Sequence, residues 1–497
     1  MNYVLQSFFN IFNPGTLIFM IFGVSWGILA GALPGFGATL AMALLIPFTF
    51  GVEPNIALPM LAAVYAGAIY GGGITAIMVG IPGTSSAAAT VADGFAMTRK
   101  GESQKALSTS IISSTIGGIF GGLALIFFAP LLAKITILFG SAEYFILAIF
   151  GLTIIASLSG SSILKGLIAG IFGLLLSTVG IDVIAGASRF TFNQMYLYDG
   201  IPLIPLILAL FAFPRCIIMI RETFQEGIHT LNLSKEIHKI GKSISLNEIK
   251  KMWKTILRSS IIGTIIGIIP GAGANIACWV GYSEAKRASK TPEKFGTGIP
   301  EGIAAAEAAN NAVQGGSMVP LLTLGIPGNA ASAVMLGALM IHGLIPGFEL
   351  FTKYASVTYT YMMAVIFSNF LMLAVAWYAS RFFVKIANIP YYILSPAMLL
   401  ITLLGSFSTR QYYFDIWITV ILGTVCYLLT LAKYPMPPIL LGVILGPIAE
   451  KGFRRSLMIS HGDWSIFFTR PICLIMIILS IFSLYSGYKM NKSKRSS

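Results

Sequence analysis

The chain has 497 residues, of which 56% are hydrophobic and only 10% are charged, and its mean hydropathy is +0.85. About a quarter of the residues of a soluble domain are charged, so this composition excludes a soluble enzyme, a disordered chain and a nucleic-acid-binding module. The net charge of +14 comes largely from short loops, which is typical of the cytoplasmic loops of membrane proteins. We therefore expect a chain embedded in a lipid bilayer, with no nucleic-acid partner.

Apolar segments separated by short polar connections recur along the chain and predict an all-α polytopic membrane protein. Helices are required because lipid cannot satisfy the backbone hydrogen bonds of an open strand. At about 20 residues per crossing, we expect about 10–12 transmembrane helices, some of them broken or arranged as re-entrant hairpins. The apolar segments are 15–33, 56–81, 106–133, 143–159, 163–181, 201–220, 256–270, 318–345, 355–380, 391–405, 413–432 and 471–487.

One stretch, 215–258, lacks a long apolar run and holds nine Lys and Arg against four Glu. The positive-inside rule predicts that this loop is cytoplasmic, as is the basic C-terminal tail that follows Lys489. We interpret the whole chain, 1–497, as a single transmembrane domain. Its parts are repeat 1 at about 15–214, the cytoplasmic loop 215–258, repeat 2 at about 259–449, and a C-terminal helix and tail at 450–497.

Two motifs occur twice in the same order. The pattern G-x-x-x-G-x-x-P-G-x-G-A covers 27–38 and returns at 263–274. The sequence Gly-Ile-Pro-Gly covers 80–83 and returns at 325–328. Chance is a poor account of two ordered matches, so the pattern indicates an internal duplication.

Loop charges indicate how the two copies are oriented. After the first motif, 48–58 has no basic residue, whereas 283–302 holds four Lys and Arg. After the second motif the bias is reversed, with three basic residues at 99–105 and Lys353 in the other copy. Equivalent loops are thus expected on opposite membrane faces, which predicts two inverted-topology repeats, as in many secondary transporters. Drift of the loop charges is the alternative explanation.

Pro and Gly interrupt the apolar segments at all four motif copies. They remove backbone hydrogen bonds that lipid cannot replace, so such breaks survive where they are buried in protein or line a watery cavity. Four breaks in duplicated positions favour broken helices that meet around a substrate, whereas a single break would mostly be a kinked helix packed through small residues. The residues that we predict to line this site are Gly35, Gly37, Thr39, Gly83, Thr84, Ser85, Gly271, Gly273, Asn275, Gly328, Asn329 and Ser332.

Hydroxyl and amide side chains follow the breaks and suit a helix start, where free N–H groups point outward. Such a terminus carries partial positive charge, so it can hold a carboxylate without a buried Arg or Lys. Ordinary capping or interhelical hydrogen bonding is the alternative for each residue alone. A helix end contributes about 0.3–1 kcal/mol, ~2 when partly buried, whereas burial of an ionised carboxylate costs several kcal/mol. We therefore expect carboxylate transport coupled to an ion.

Glu307, Asn310 and Asn311 fall within about one helical turn beside an apolar segment of the second repeat. They are candidates for lining the pathway or for binding a cation. The alternative is a polar helix start at the cytoplasmic surface. Asp93 lies close to the basic pair that begins at Arg99, and we expect it in an interfacial loop.

Enzyme signatures are missing from the sequence. It lacks HExxH, the phosphate-binding GxxxxGK[ST] and GxSxG. Its four His and four Cys show no metal-ligand spacing. We therefore expect no catalytic residues, no enzymatic activity and no cofactor besides a coupling ion, Na+ or H+.

Several further segments accompany the duplicated motifs. They include Arg-Phe-Thr-Phe at 189–192, Phe-Gly-Thr-Gly at 295–298, Glu-Ala-Ala-Asn-Asn at 307–311 and His-Gly-Leu-Ile-Pro-Gly at 342–347. With these matches in order, the chain resembles the large permease subunit of the tripartite tricarboxylate transporters, the TctA family, over about 18–440.

The resemblance implies a subunit of a binding-protein-dependent secondary transporter that imports tricarboxylates or related organic carboxylates with an ion gradient. It implies two partners, a small integral-membrane subunit (TctB-like) and a periplasmic substrate-binding protein (TctC-like), and a place in the bacterial inner membrane. Two alternatives remain open. One is a stand-alone ion-coupled carboxylate carrier, and the other is a polytopic lipid-modifying membrane enzyme, for which no catalytic constellation is visible.

Overall fold

The computed structural model describes residues 2–158, 162–182, 185–226, 242–386, 391–408 and 410–496. These residues are overwhelmingly helical, and their strands are limited to one antiparallel hairpin, β1 (Gly180–Ile181) with β2 (Ser188–Arg189). The prediction of an all-α polytopic membrane protein is therefore confirmed.

Twenty-one α-helices follow one another along the described chain. The first ten are α1 Asn2–Ile11, α2 Pro14–Ala32, α3 Gly37–Thr49, α4 Pro54–Met78, α5 Ala88–Arg99, α6 Ser103–Ile135, α7 Ser141–Leu158, α8 Ile163–Ser177, α9 Leu203–Ile207 and α10 Phe213–Glu226. The others are α11 Leu246–Ile268, α12 Gly273–Ala288, α13 Pro300–Leu324, α14 Ala330–Ile341, α15 Phe348–Thr352, α16 Ala355–Ile386, α17 Tyr391–Ser408, α18 Tyr413–Leu431, α19 Pro437–Ile459, α20 Ile466–Thr469 and α21 Pro471–Ser496. A 3-10 turn, Ser85–Ala87, precedes α5, and a π-helical stretch, Leu208–Ala212, joins α9 to α10.

Six helical segments of the described chain are long and apolar enough to cross a membrane. They are Pro14–Ala32, Pro54–Met78, Ser103–Leu138, Leu203–Phe224, Ala355–Tyr378 and Tyr413–Leu431. Six shorter apolar helices accompany them, so the number of crossings and their inverted topology stay predictions. One predicted segment, 318–345, is wrong as a single element, because the Gly-Ile-Pro-Gly motif divides it between α13 and α14.

The predicted cytoplasmic loop, 215–258, is partly helical. Helix α10 continues to Glu226, and α11 begins at Leu246. The start of α11 is fixed by a capping box, in which the Ser245 hydroxyl accepts from the backbone N–H of Glu248 and the Glu248 carboxylate accepts from the N–H of Ser245. Residues 227–241 of this loop lie outside the described residues.

The chain forms two compact units. The first comprises Met1–Leu132 and Met219–Ser395, and the second comprises Ala133–Ile218 and Pro396–Ser497. All four motif copies and all twelve predicted site residues belong to the first unit, so the site can be described within that unit alone.

Two helix pairs of the first unit pack backbone against backbone. A Cβ added at Gly27 of α2 would overlap the carbonyl oxygen of Val64 on α4. A Cβ added at Gly263 of α11 would overlap the carbonyl oxygen of Ala309 on α13. Glycine permits this close approach, which is the usual way that helices gain packing energy in lipid. The two contacts lie at equivalent positions of the duplicated motif.

In the second unit, an ion-pair network joins the β-hairpin to α19. The Arg189 guanidinium binds both carboxylate oxygens of Glu450, at 2.8 and 3.1 Å. Arg454 contacts Asp182 at 2.8 Å and Glu450 at 3.2 Å. Bidentate pairing of this kind fixes orientation as well as distance, so the network holds the hairpin against α19.

Candidate substrate-binding site

The first motif interrupts a helix in both repeats at a pair of glycines. In repeat 1, Gly35 and Gly37 have φ values of +74° and +66°, between the end of α2 and the start of α3. In repeat 2, Gly271 and Gly273 have φ values of +81° and +61°, between α11 and α12. Side chains other than glycine rarely adopt this left-handed conformation, so the motif is the cause of the break.

The second motif ends a long buried helix in both repeats. Helix α4 ends before Gly80, whose φ is +77°, and α13 is capped by Gly325, whose φ is +69°. Pro82 and Pro327 follow, and because proline lacks an N–H and disfavours a helical residue before it, neither helix can continue. The chain then starts the 3-10 turn before α5 in repeat 1 and α14 in repeat 2.

The two breaks of each repeat are joined by the same hydrogen bond. The backbone N–H of Gly35 donates to the carbonyl oxygen of Gly83 at 3.1 Å. The N–H of Gly271 donates to the carbonyl oxygen of Gly328 at 2.9 Å. The four interruptions are therefore two bonded pairs, and each pair satisfies polar backbone groups that lipid would leave unpaired.

Side chains connect the breaks of one repeat to those of the other. The Ser85 hydroxyl donates to Asn275 Oδ1 at 2.9 Å, and the Tyr65 hydroxyl oxygen lies 2.8 Å from Asn329 Nδ2. Helix α3 packs on α14, while α12 packs on the 3-10 turn of repeat 1. These contacts bring all four breaks into one region of the first unit.

The predicted side chains differ in whether they are available to bind a ligand. Asn329 and Ser332 cap α14 reciprocally, since Asn329 Oδ1 accepts from the N–H of Ser332 at 2.9 Å and Ser332 Oγ accepts from the N–H of Asn329 at 2.8 Å. Thr84 Oγ1 lies 3.1 Å from Ser86 Oγ. Thr39 is half-buried in the first turn of α3. Gly35, Ser85 and Asn275 are exposed, so they are the members of the predicted set that are open to a ligand.

The three candidate cation ligands lie deep inside the protein. Glu307, Asn310 and Asn311 occupy the third turn of α13 and are fully buried, so the alternative of a polar helix start at the membrane surface is wrong. Thr90 Oγ1 donates to Glu307 Oε1 at 2.6 Å, and Ser114 Oγ donates to Glu307 Oε2 at 3.0 Å. Sequence reasoning missed both hydroxyls, because each comes from a distant helix.

The prediction that Asp93 lies in an interfacial loop is also wrong. It is fully buried in α5. Its Oδ1 accepts from the backbone N–H groups of Gly296, Gly298 and Ile299 at 3.0, 2.8 and 3.0 Å. Its Oδ2 accepts from the Tyr282 hydroxyl at 2.9 Å. A single carboxylate of repeat 1 therefore fixes the loop that leads into α13 of repeat 2.

The predicted set lacks Tyr65, which contacts a site residue, and Gln314, which joins α13 to α4. Tyr65 reaches Asn329, and Gln314 Nε2 donates to the carbonyl oxygen of Ala62 at 2.9 Å. A signal for Gln314 was present, because it continues the buried polar row of α13 one turn beyond Asn310.

Comparison with known proteins points to one family. The sequence model of the family described as "Tripartite tricarboxylate transporter TctA family" matches residues 17–441. An uncharacterized 52.8 kDa protein in the TAR-I ttuC' 3'region of Agrobacterium vitis is 36% identical over 474 residues, covering 94% of this chain and 92% of the relative. An uncharacterized protein in the TAR-II ttuC' 3'region of the same organism is 34% identical over 219 residues, covering 44% of this chain and 90% of the relative.

Proposed function

Because the chain belongs to the tripartite tricarboxylate transporter TctA family, we propose that it is the large membrane subunit of a three-component carboxylate importer. In this proposal it forms the translocation path in the bacterial inner membrane, with the C-terminal tail and the loop 215–258 in the cytoplasm. A small membrane subunit completes the complex, and a periplasmic binding protein delivers the substrate. No catalytic activity is part of the proposal.

The paired breaks are the observation that carries this function. Helices α3, α12 and α14 and the turn before α5 all begin at a break, and helix starts present N–H donors and partial positive charge to an anion. The break segments contain no Lys or Arg, so backbone groups and the exposed Ser85 and Asn275 would hold the substrate carboxylates. The exposed Gly35 and the half-buried Gly37 and Gly271 would let the backbone approach the substrate, whereas Gly83, Gly273 and Gly328 are buried.

The charge of the substrate supports coupling to a cation. Each helix end contributes about 0.3–1 kcal/mol, and ~2 in a partly buried geometry. Removing one carboxylate from water costs several kcal/mol. Four helix ends therefore do not balance a buried trianion, whereas a co-transported cation lowers its net charge. We infer that an ion gradient drives uptake.

Reconstitution tests the proposal directly. The chain is incorporated into proteoliposomes with and without the small subunit, and radiolabelled citrate, a tricarboxylate, is supplied with the periplasmic binding protein. We expect citrate to accumulate only when all three components and an inward cation gradient are present. Accumulation by the chain alone would establish the stand-alone carrier instead. Failure of the complete set to move citrate or any other carboxylate would refute transport.

The Tyr65 hydroxyl offers a specific prediction. Tyr65→Phe removes the group that lies 2.8 Å from Asn329 Nδ2 while the capping bonds of Asn329 to Ser332 remain. We expect the KM for citrate uptake to rise about three- to tenfold, because a hydrogen bond contributes about 0.5–1.5 kcal/mol. Tyr361→Phe is the matched control, since Tyr361 is as buried as Tyr65 and its hydroxyl contacts Met318 Sδ at 2.9 Å. Its KM should stay within about twofold of the wild type, and equal changes in both variants would contradict the prediction.

A further inference from the structure

We propose that the buried carboxylate of Glu307 holds the coupling ion, that this ion is Na+, and that Thr90, Ser114 and the neighbouring amides complete the site. The inference rests on the proposed function and names the ion and the residues that this function leaves open. It is carried by the buried position of the carboxylate and, among the described residues, by the absence of a positive partner and the presence of unpaired amide atoms on the next turn of α13.

Three helices supply the side chains of this cluster, in which one hydroxyl oxygen lies against each carboxylate oxygen of Glu307. Glu307 of α13 and Ser114 of α6 are fully buried, and Thr90 of α5 is 1% exposed. The two hydroxyl oxygens lie 2.6 and 3.0 Å from the two carboxylate oxygens. Each hydroxyl has lone pairs as well as a proton, so a small rotation turns it from a donor to the carboxylate into a ligand of a cation.

Glu307 lacks a positively charged partner among the described residues. Every ion pair of that part of the chain involves another carboxylate, and none includes Glu307. An ionised carboxylate without a counter-charge costs several kcal/mol to bury. One carboxylate with neutral oxygen ligands balances a monovalent cation, and the resulting neutral site is the form that a membrane interior tolerates.

The amides beside Glu307 favour Na+ over a proton. Both polar atoms of the Asn310 side chain and the Oδ1 atom of Asn311 are buried and lack a hydrogen-bond partner in the described structure. Leaving a buried polar atom unpaired costs about 1–3 kcal/mol. A proton on Glu307 would leave these oxygens as they are, whereas a hard cation takes amide oxygens as ligands.

The site shares a wall with one of the broken helices. Two adjacent residues of α4 form that wall: a Cβ at Gly73 would lie 2.7 Å from Glu307 Oε1, and a Cβ at Gly72 would lie 2.8 Å from Thr84 Cγ2. Thr90 follows Thr84 by six residues on the same segment. A cation that draws in Thr90 and Glu307 therefore acts on the chain that forms the break after Gly83, which couples ion binding to the proposed carboxylate site.

The test measures Na+ binding without any carboxylate or partner protein. The full-length chain in detergent is heated at constant ionic strength while choline is replaced by Na+ or K+. A ligand that binds the folded state raises the melting temperature with its concentration, which yields an apparent Kd. We expect a saturable response to Na+ and none to K+. Glu307→Gln should raise the Na+ Kd at least about tenfold, and Thr90→Val should act in the same direction if Glu307→Gln does not fold.

Glu301→Gln is the matched control, because Glu301 belongs to the first turn of the same helix, and its Na+ Kd should equal that of the wild type. An unchanged Kd in folded Glu307→Gln or Thr90→Val would overturn the proposal. So would stabilisation by lowered pH with no response to Na+, which would assign a proton to this carboxylate. Because no carboxylate is present, these outcomes are independent of whether citrate is transported.

Discussion

Gly83→Ala is expected to lower citrate uptake by the reconstituted three-component system about 10- to 100-fold. A Cβ at Gly83 would overlap the carbonyl oxygen of Gly31 and lie 2.7 Å from Thr75 Oγ1. Overpacking of this kind costs about 1–3 kcal/mol, and each 1.4 kcal/mol is a factor of ten. The hydrogen bond between Gly35 and Gly83 lies at this point. The added Cβ is therefore expected to distort the two breaks that this bond joins. Initial uptake rates in proteoliposomes measure the effect.

The equivalent substitution, Gly328→Ala, should have a smaller effect. Its Cβ would lie 2.8 Å from both the carbonyl oxygen of Gly267 and Ser317 Cβ, which is less severe than the overlap at Gly83. Gly170→Ala is the control, since its nearest atoms, Leu152 Cδ2 at 3.4 Å and Pro438 Cβ at 4.0 Å, make ordinary contacts. All three variants should reach the membrane in normal amounts. If Gly83→Ala takes up citrate at the wild-type rate, the breaks are not part of the translocation path.

Asp93→Ala is expected to destabilise the folded chain by about 3 kcal/mol or more. The substitution leaves three backbone N–H groups and the Tyr282 hydroxyl without their acceptor. The bonds from Gly298 and Tyr282 are buried, and each buried group left unsatisfied costs about 1–3 kcal/mol. The melting temperature in detergent should fall by about 3 °C or more, as followed by the amount of monodisperse protein that remains after heating.

Tyr282→Phe separates the contributions to this cluster. It removes one of the four donors and leaves the three backbone bonds to Asp93, so we expect a loss of only about 1 kcal/mol. If Asp93→Ala melts at the wild-type temperature, the carboxylate does not fasten the loop before α13. Equal losses in both variants would assign the stability to the tyrosine instead.

The fold was largely predictable, because lipid imposes strong rules on sequence. Most apolar segments coincide with helices to within a few residues: the segment 56–81 corresponds to α4, and 106–133 to α6. The clearest failure is α13, which begins at Pro300 and not near residue 318. Its polar residues face the interior of the protein, so hydropathy, which measures the preference for lipid, misses its first half.

The site was predictable only in part. Pro and Gly act on their own backbone, and so the sequence reveals all four breaks. The partners of Glu307 and Asp93 depend on contacts between residues about 200 positions apart, such as Thr90 with Glu307. The sequence around Thr90 does not distinguish it from other threonines. The sequence around Asp93 resembles that of an interfacial acid, and only the folded structure shows that the loop at Gly296 packs against it.

The glycine contacts between α2 and α4, and between α11 and α13, restrict how this protein can move. At Gly27 and Gly263 there is no layer of side chains that could slide or repack, because peptide groups touch peptide groups. We therefore expect each helix pair to move as one rigid body in the proposed transport cycle. Bending is then expected at the ends of these helix pairs, where proline and glycine interrupt the regular backbone hydrogen bonds.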